Sequence, residues 1–162
     1  MPIAYNDERL PLLIGEHQQK IFALVVYLIG GDPTKAYEIA STCFAETLRA
    51  VSSLERKGET LVKVARAAVA QCRQVQMIPY ADDADLAAHP PERRSALRMV
   101  KKALFALDFD ARAILILRDQ LHISHRDIAA VLDIPEAHAK IRAPQARLAL
   151  RKKLEEVLSR GG

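Results

Sequence analysis

Apolar residues recur every three to four positions along most of this chain, which is the spacing of a helix face that packs against a core. Three such helices are expected over residues 12–29, 33–51 and 59–77. Four more helical segments are expected over residues 96–158. No segment alternates apolar and polar residues as a half-buried strand would. The pattern therefore predicts an all-α protein.

Turn-forming residues divide the pattern into two small helical domains. Gly30-Gly31 is expected to end the first helix, and Asp32-Pro33 to cap and begin the second. Residues 79–95 contain three prolines and an acidic cluster without helical periodicity, so they are predicted to be a linker. The expected domains are then residues 1–78, a three-helix bundle, and residues 96–162. Such a linker allows both packed and open arrangements of the two domains.

The acidic part of the linker is a candidate for masking basic helices in a packed arrangement. Asp82, Asp83 and Asp85 would then lie against the second domain.

The segment from Ser124 to Pro135 has the pattern of a helix-turn-helix. Ser124 is expected to cap a helix, and Asp127, three residues later, completes a capping-box pattern. Asp133 stands where the chain must turn, because aspartate tolerates left-handed backbone better than most residues do. Pro135 is suited to the first turn of the following helix. This motif most often binds DNA through its second helix.

Pro144 interrupts the second helix of this motif. A proline there removes a backbone donor and its ring presses on the carbonyl of Lys140. Two outcomes are compatible with the sequence. Either the helix kinks and keeps its first turns in place, or it separates into two helices and distorts the surface that would contact bases.

Composition and charge fit a helical protein that contacts nucleic acid. Hydrophobic residues make up 50% of the chain and aromatic residues 5%, with no Trp, so the core must be built from aliphatic side chains. The formal net charge of +4 is unevenly placed, at +1 over residues 1–78, −2 over 79–95 and +5 over 96–162. The excess positive charge therefore belongs to the domain with the helix-turn-helix.

The remaining signals point to a cytoplasmic protein that is not an enzyme. Cys43 and Cys72 are expected to be small core residues in a reducing compartment. No signal-peptide pattern or membrane-spanning run is present in the sequence. No glycine-rich phosphate loop, nucleophile elbow or metal-ligand constellation is found, so no cofactor and no metal are expected.

The carboxy-terminal residues resemble bacterial sigma factors of the extracytoplasmic-function group. Ala103 to Leu154 carries the resemblance, with Ala-Leu-Phe-Ala-Leu-Asp, Leu-Ile-Leu-Arg-Asp and the helix-turn-helix in order. The resemblance implies two helical domains, the second of which binds the upstream promoter element. The residues expected to contact DNA are Ser124, Arg126, His138, Lys140, Arg142 and Arg147.

The amino-terminal residues resemble the same family more loosely. Residues 32–48 fall where the family has its polymerase-binding helix, and Val64-Ala65-Arg66 where its third helix contacts the downstream promoter element. The resemblance implies core RNA polymerase, promoter DNA and an anti-sigma protein as partners. The residues expected to bind polymerase are Glu38, Ile39, Ser41, Thr42 and Phe44.

Departures from the family pattern keep a second hypothesis open. Ser41-Thr42 replaces a Gln-Glu pair, Pro144-Gln145 replaces a His-Arg pair, and the third helix lacks an aromatic residue for stacking on bases. The first hypothesis is a sigma-like transcription initiation factor. The alternative is a sigma-like interaction module, a decoy or adaptor that binds an anti-sigma protein or the polymerase and does not recognise promoters.

Overall fold

The computed structural model describes residues 9–50, 57–78 and 87–160, and in them it contains seven helices and no strand. The prediction of an all-α protein is confirmed. The helices are α1 (Arg9–Ile29), α2 (Pro33–Ala50), α3 (Lys57–Arg73), α4 (Pro91–Phe105), α5 (Phe109–Leu115), α6 (His125–Leu132) and α7 (Glu136–Arg160). A π-helical turn, Ile116–Gln120, continues α5. We call α1–α3 the amino-terminal lobe and α4–α7 the carboxy-terminal lobe.

The turn between α1 and α2 has the predicted form. Gly30 and Gly31 both have positive φ, 107° and 108°, a backbone conformation that residues with a Cβ rarely adopt. Their amides donate to the carbonyl of Val26 and so satisfy the end of α1. A carboxylate oxygen of Asp32 then accepts from the amides of Thr34 (3.0 Å) and Lys35 (3.3 Å), which caps α2.

The core of the amino-terminal lobe is built from the apolar stripes that the periodicity predicted. It comprises Ile21, Leu24, Val25 and Leu28 of α1, Ala36, Ile39, Ala40, Cys43 and Phe44 of α2, and Leu61, Val64, Ala65, Ala68 and Cys72 of α3. Both cysteines are buried and free, as core residues. Burial, with a smaller contribution from Cys43, raises the pKa of the Cys72 thiol to about 12, which keeps it protonated and unreactive.

Helix α4 begins inside the stretch predicted to be linker. Its first residue is Pro91, five residues before the expected start at Ala96. The side chain of Arg94 donates to the carbonyls of His89 (2.5 Å) and Ala87 (3.1 Å), which holds the preceding segment against the first turn. Asp82, Asp83 and Asp85 lie outside the described residues, so the hypothesis that they mask basic helices stays a prediction.

The two lobes pack against each other, and a buried arginine joins them. Arg112 of α5 is only 2% exposed. Its guanidinium donates to the carbonyl of Leu107 (2.8 Å) in its own lobe and to the carbonyl of Leu28 (3.1 Å) near the end of α1. A cation suits the negative end of a helix dipole, so Arg112 also caps α1 electrostatically. Burial lowers the pKa of this guanidinium, which nevertheless stays charged.

A second group of contacts joins the two lobes at the edge of the same interface. Arg73 at the end of α3 forms an ion pair with Asp110 (2.5 Å) and lies over the ring of Phe109, 4.5 Å from its centroid. Tyr27 of α1 packs on Phe105 of α4 with ring centroids 6.3 Å apart. One continuous apolar cluster therefore runs through both lobes and fixes the packed arrangement.

Candidate functional site

The helix-turn-helix has the local geometry that its sequence predicted. The hydroxyl of Ser124 accepts from the amide of Asp127 at 3.1 Å and caps α6. Asp133 adopts left-handed backbone, with φ 56° and ψ 49°, and ends that helix. The amide of Ile134 donates to the carbonyl of Ala129 (3.0 Å), and the carbonyl of Pro135 accepts the first bonds of α7. These turns set α7 against α6 as in a helix-turn-helix.

Helix α7 continues without a break through Pro144, from Glu136 to Arg160. The alternative of two separate helices is therefore wrong. Pro144 is exposed, while Ala139, Ala143 and Ala146 on the opposite side are buried against the rest of the lobe. These small side chains let α7 pack closely, and that packing offsets the cost of the missing donor.

The residues predicted to contact DNA are distributed around α6 and α7. Arg126, His138, Lys140 and Arg142 are exposed, and Lys140 approaches Glu136 one turn earlier at 3.6 Å. Ser124 is also exposed, although its hydroxyl is used in the cap. The structure therefore does not gather these side chains on one face of α7, since Lys140 and Arg142 lie on opposite sides of it.

Arg147 is held by an acidic partner within the lobe. Its Nε and Nη2 atoms donate to the carboxylate of Asp119 at 2.9 and 2.5 Å, a two-pronged ion pair between α7 and the π-helical turn. This hydrogen bond lowers the pKa of the Asp119 carboxyl below its ordinary value of 3.8 and raises that of Arg147. In this arrangement Arg147 anchors α7 to its own lobe.

Acidification is expected to weaken this anchor. Because folding lowers the pKa of Asp119, its contribution to stability is complete above the ordinary value of 3.8 and is lost as the pH falls below that value through the lowered pKa of the folded protein. The wild-type free energy of unfolding should therefore fall more steeply between about pH 5 and pH 2 than that of Asp119→Asn. Urea unfolding across that range measures the difference. Glu46→Gln, which removes an exposed acid from α2, should keep the wild-type slope.

An exposed apolar pair on α7 was not predicted from the sequence. Ile141 and Leu148 are 58% and 60% exposed. They lie seven residues apart and so on one helix face, opposite the buried alanines. The spacing was visible in the sequence, but only the packing decides which face of α7 is buried.

The residues predicted to bind polymerase divide between a groove, the surface and the core. Ser41 and Phe44 line a groove of about 570 Å³ between α1 and α2. Glu38 and Thr42 are exposed beside it, with the Thr42 hydroxyl donating to the Glu38 carbonyl at 2.9 Å. Ile39 is a core residue, so its side chain supports α2 from within.

We call this groove the α1–α2 groove, and most of its lining was not predicted. Its other walls are Gln18, Gln19 and Phe22 of α1 and Tyr37 and Ala40 of α2. Tyr37 is 59% exposed, and it forms one stripe with Ser41 and Phe44 at positions i, i+4 and i+7. This stripe of an exposed aromatic ring, a hydroxyl and a second ring is the signal from which the groove could have been predicted.

The two regions that resemble promoter-binding elements lie against each other. Helix α3 packs on α6. Arg66 of α3, in the segment that resembles the downstream-element helix, lies 3.6 Å from the carboxylate of Asp133 in the helix-turn-helix turn. Both side chains are largely exposed, so this ion pair contributes little to stability. It shows only that α3 and the helix-turn-helix turn are neighbours.

Within the three described segments, no group of three His, Cys, Asp or Glu side chains is placed to hold a metal ion. None of the helices in that part of the chain is both long and apolar enough to cross a membrane.

Comparison with known proteins shows a likeness to solved structures but not to known sequences. Neither a protein-family model nor any curated protein sequence matches the chain. Its structure is similar to that of CnrH in complex with the cytosolic domain of CnrY, with a TM-score of 0.73 and 18% sequence identity. The alignment covers 94% of this chain and 91% of the CnrH chain. Since CnrH is a sigma factor of the extracytoplasmic-function group, the chain has a sigma-like, all-α two-domain fold.

Proposed function

We propose that this chain is a sigma-like transcription initiation factor that binds core RNA polymerase through the α1–α2 groove. The observation that carries the proposal is the stripe formed by Tyr37, Ser41 and Phe44. It lies on the helix that resembles the polymerase-binding helix of the family, and it opens to the surface. The fold supports the same class of protein. A protein of this class acts in the cytoplasm, where polymerase is found.

The chemistry of the groove suits a protein partner. Its floor is apolar, from Phe22, Ala40 and Phe44, while Gln18 and Gln19 supply amides at the rim. An apolar floor with a polar rim is the usual anatomy of a protein interface. Exposed aromatic side chains of this kind are often the residues that contribute most to binding.

Tyr37→Ala is expected to weaken polymerase binding about ten-fold or more, because it removes the most exposed aromatic ring of the groove. Titration of labelled core polymerase with the full-length chain measures the affinity. Arg49→Ala, on the same helix outside the groove lining, should bind as the wild type does. If the wild-type chain fails to bind core polymerase, the proposal is wrong.

Promoter binding by the helix-turn-helix is the second part of this proposal. Exposed Arg126, Lys140 and Arg142 support it, because such side chains can contact phosphates. A complex of this chain with polymerase that binds a promoter duplex should lose affinity steeply as salt is added. If the complex binds the duplex no better than core polymerase alone does, the proposal of promoter binding is wrong. The proposal of polymerase binding is then unaffected.

A second candidate function is an interaction module that does not recognise promoters. The packing of α3 on α6 favours it, because that arrangement sets the two regions that resemble promoter-binding elements against each other. CnrH is seen in complex with the cytosolic domain of CnrY, an anti-sigma protein, which makes an anti-sigma protein a candidate partner here. The adaptor would form its complex without starting transcripts, and a run-off transcription assay separates the two functions.

A further inference from the structure

We propose that the outward face of α7 is a docking surface for an acidic amphipathic helix of a partner protein. The surface is a row of exposed side chains, Ala137, Ile141, Pro144 and Leu148, which we call the apolar strip. The proposal rests on the second candidate function and names the chemistry of its partner. It does not depend on binding at the α1–α2 groove.

The apolar strip is a continuous feature of the helix. Its members recur at intervals of four, three and four residues, so they project on one side of α7. Ile141 and Leu148 lie about 10 Å apart along the axis, with Pro144 between them. Two aliphatic side chains more than half exposed on one stripe form a ridge of the kind that a partner helix covers.

Positive charge borders the apolar strip on both sides. Residues 138–152 include five Lys and Arg side chains and no acidic one. At helical spacing, Lys140 and Arg151 fall on one side of the strip and Lys152 on the other, while Arg142 lies farther round the helix, toward the buried alanines. All four are exposed. The complementary surface is therefore an apolar stripe bordered by Asp or Glu, which is an acidic amphipathic helix.

A second copy of this chain is a poor occupant of the strip. Residues 96–162 carry a net charge of +5, so two strips face to face would bring like charges together. A heterologous acidic partner has no such cost.

Duplex DNA suits the flanks of the strip but not its centre. Phosphates would match the basic side chains, whereas base edges need donors and acceptors to replace the water that they lose. Ile141 and Leu148 offer none. Arg147, which could have supplied a donor near them, is held by Asp119.

The test uses a labelled synthetic helical peptide of about 20 residues, with leucines on one face and glutamates on its borders. Fluorescence anisotropy with the full-length chain should show saturable binding. Ile141→Asp and Leu148→Asp should each weaken that binding about ten-fold or more, since each removes an apolar contact and adds a like charge. Circular dichroism checks that both variants are folded.

Two controls accompany the peptide. A peptide of the same composition in scrambled order, without an apolar face, should not compete. Val100→Asp makes the same change at an exposed apolar residue of α4, away from the strip, and should leave the affinity unchanged.

Three results would overturn the proposal. One is the absence of saturable binding by the acidic peptide. Another is equal weakening by the Val100 variant, which would mean that added charge acts without a defined surface. The third is loss of salt-sensitive duplex binding in the two strip variants with peptide binding unchanged, which would assign the strip to DNA. Binding at the α1–α2 groove is measured with polymerase, so failure here leaves that proposal standing.

Discussion

Replacing Arg112 with methionine is expected to lower the free energy of unfolding by about 2–4 kcal/mol. Methionine keeps the apolar stem and removes the guanidinium, which is buried and donates to the carbonyls of Leu107 and Leu28. Both carbonyls would then lose a charged donor in the interior, and the end of α1 would lose its cation. Urea unfolding at neutral pH, followed by far-ultraviolet circular dichroism, measures the change.

The same variant should loosen the contact between the lobes. Of the two hydrogen bonds, the one to Leu28 crosses the interface, so small-angle scattering should show a larger radius of gyration for Arg112→Met than for the wild type. Arg126→Met changes an exposed arginine of α6 and should shift the free energy of unfolding by less than about 0.5 kcal/mol. If Arg112→Met changes the free energy of unfolding as little as Arg126→Met does, the buried hydrogen bonds of Arg112 do not stabilise the fold.

Replacing Pro144 with alanine is expected to raise the free energy of unfolding by about 1–3 kcal/mol. Proline in a helix interior leaves the carbonyl of Lys140 without its donor, and alanine restores the amide. The gain is reduced by about 0.4–1 kcal/mol, because the unfolded chain with alanine has more freedom. Urea unfolding again measures the difference.

Gln145→Ala is the matched control for this substitution. It lies next to Pro144, is exposed, and already has a backbone donor. Its effect should stay within about 0.5 kcal/mol. A loss of stability in Pro144→Ala would show that the surrounding packing depends on the proline ring.

Much of the fold could be predicted because its signals are local. The apolar stripes of the helices, the cap at Asp32 and the cap at Ser124 are each set by residues within a few positions of one another. Such patterns predicted the helices and the turn at Asp133. Helix α4 begins five residues before the predicted start, because the Pro-Pro pair, which is typical of a linker, also suits the first turn of a helix.

Which residues of the candidate site are exposed was harder to predict, because exposure is a property of the packed molecule. Ile39 was predicted to bind polymerase and is a core residue, whereas Tyr37, two positions earlier, is exposed. Arg147 was predicted to contact DNA and is paired with Asp119, 28 residues away. A sequence shows that α7 has an arginine at this position, but not which acid the folded chain brings beside it.

The sequence by itself determined the helices and their caps, since both follow from periodicity and capping over short stretches, and its resemblance to sigma factors implied the order of the two lobes. Only the tertiary structure decided that the lobes are packed, because the linker composition allowed both arrangements. The bond from Arg112 to the carbonyl of Leu28 joins residues 84 positions apart, and no local pattern specifies such a pairing. The same holds for α7, where burial of the alanine face leaves Ile141 and Leu148 in solvent.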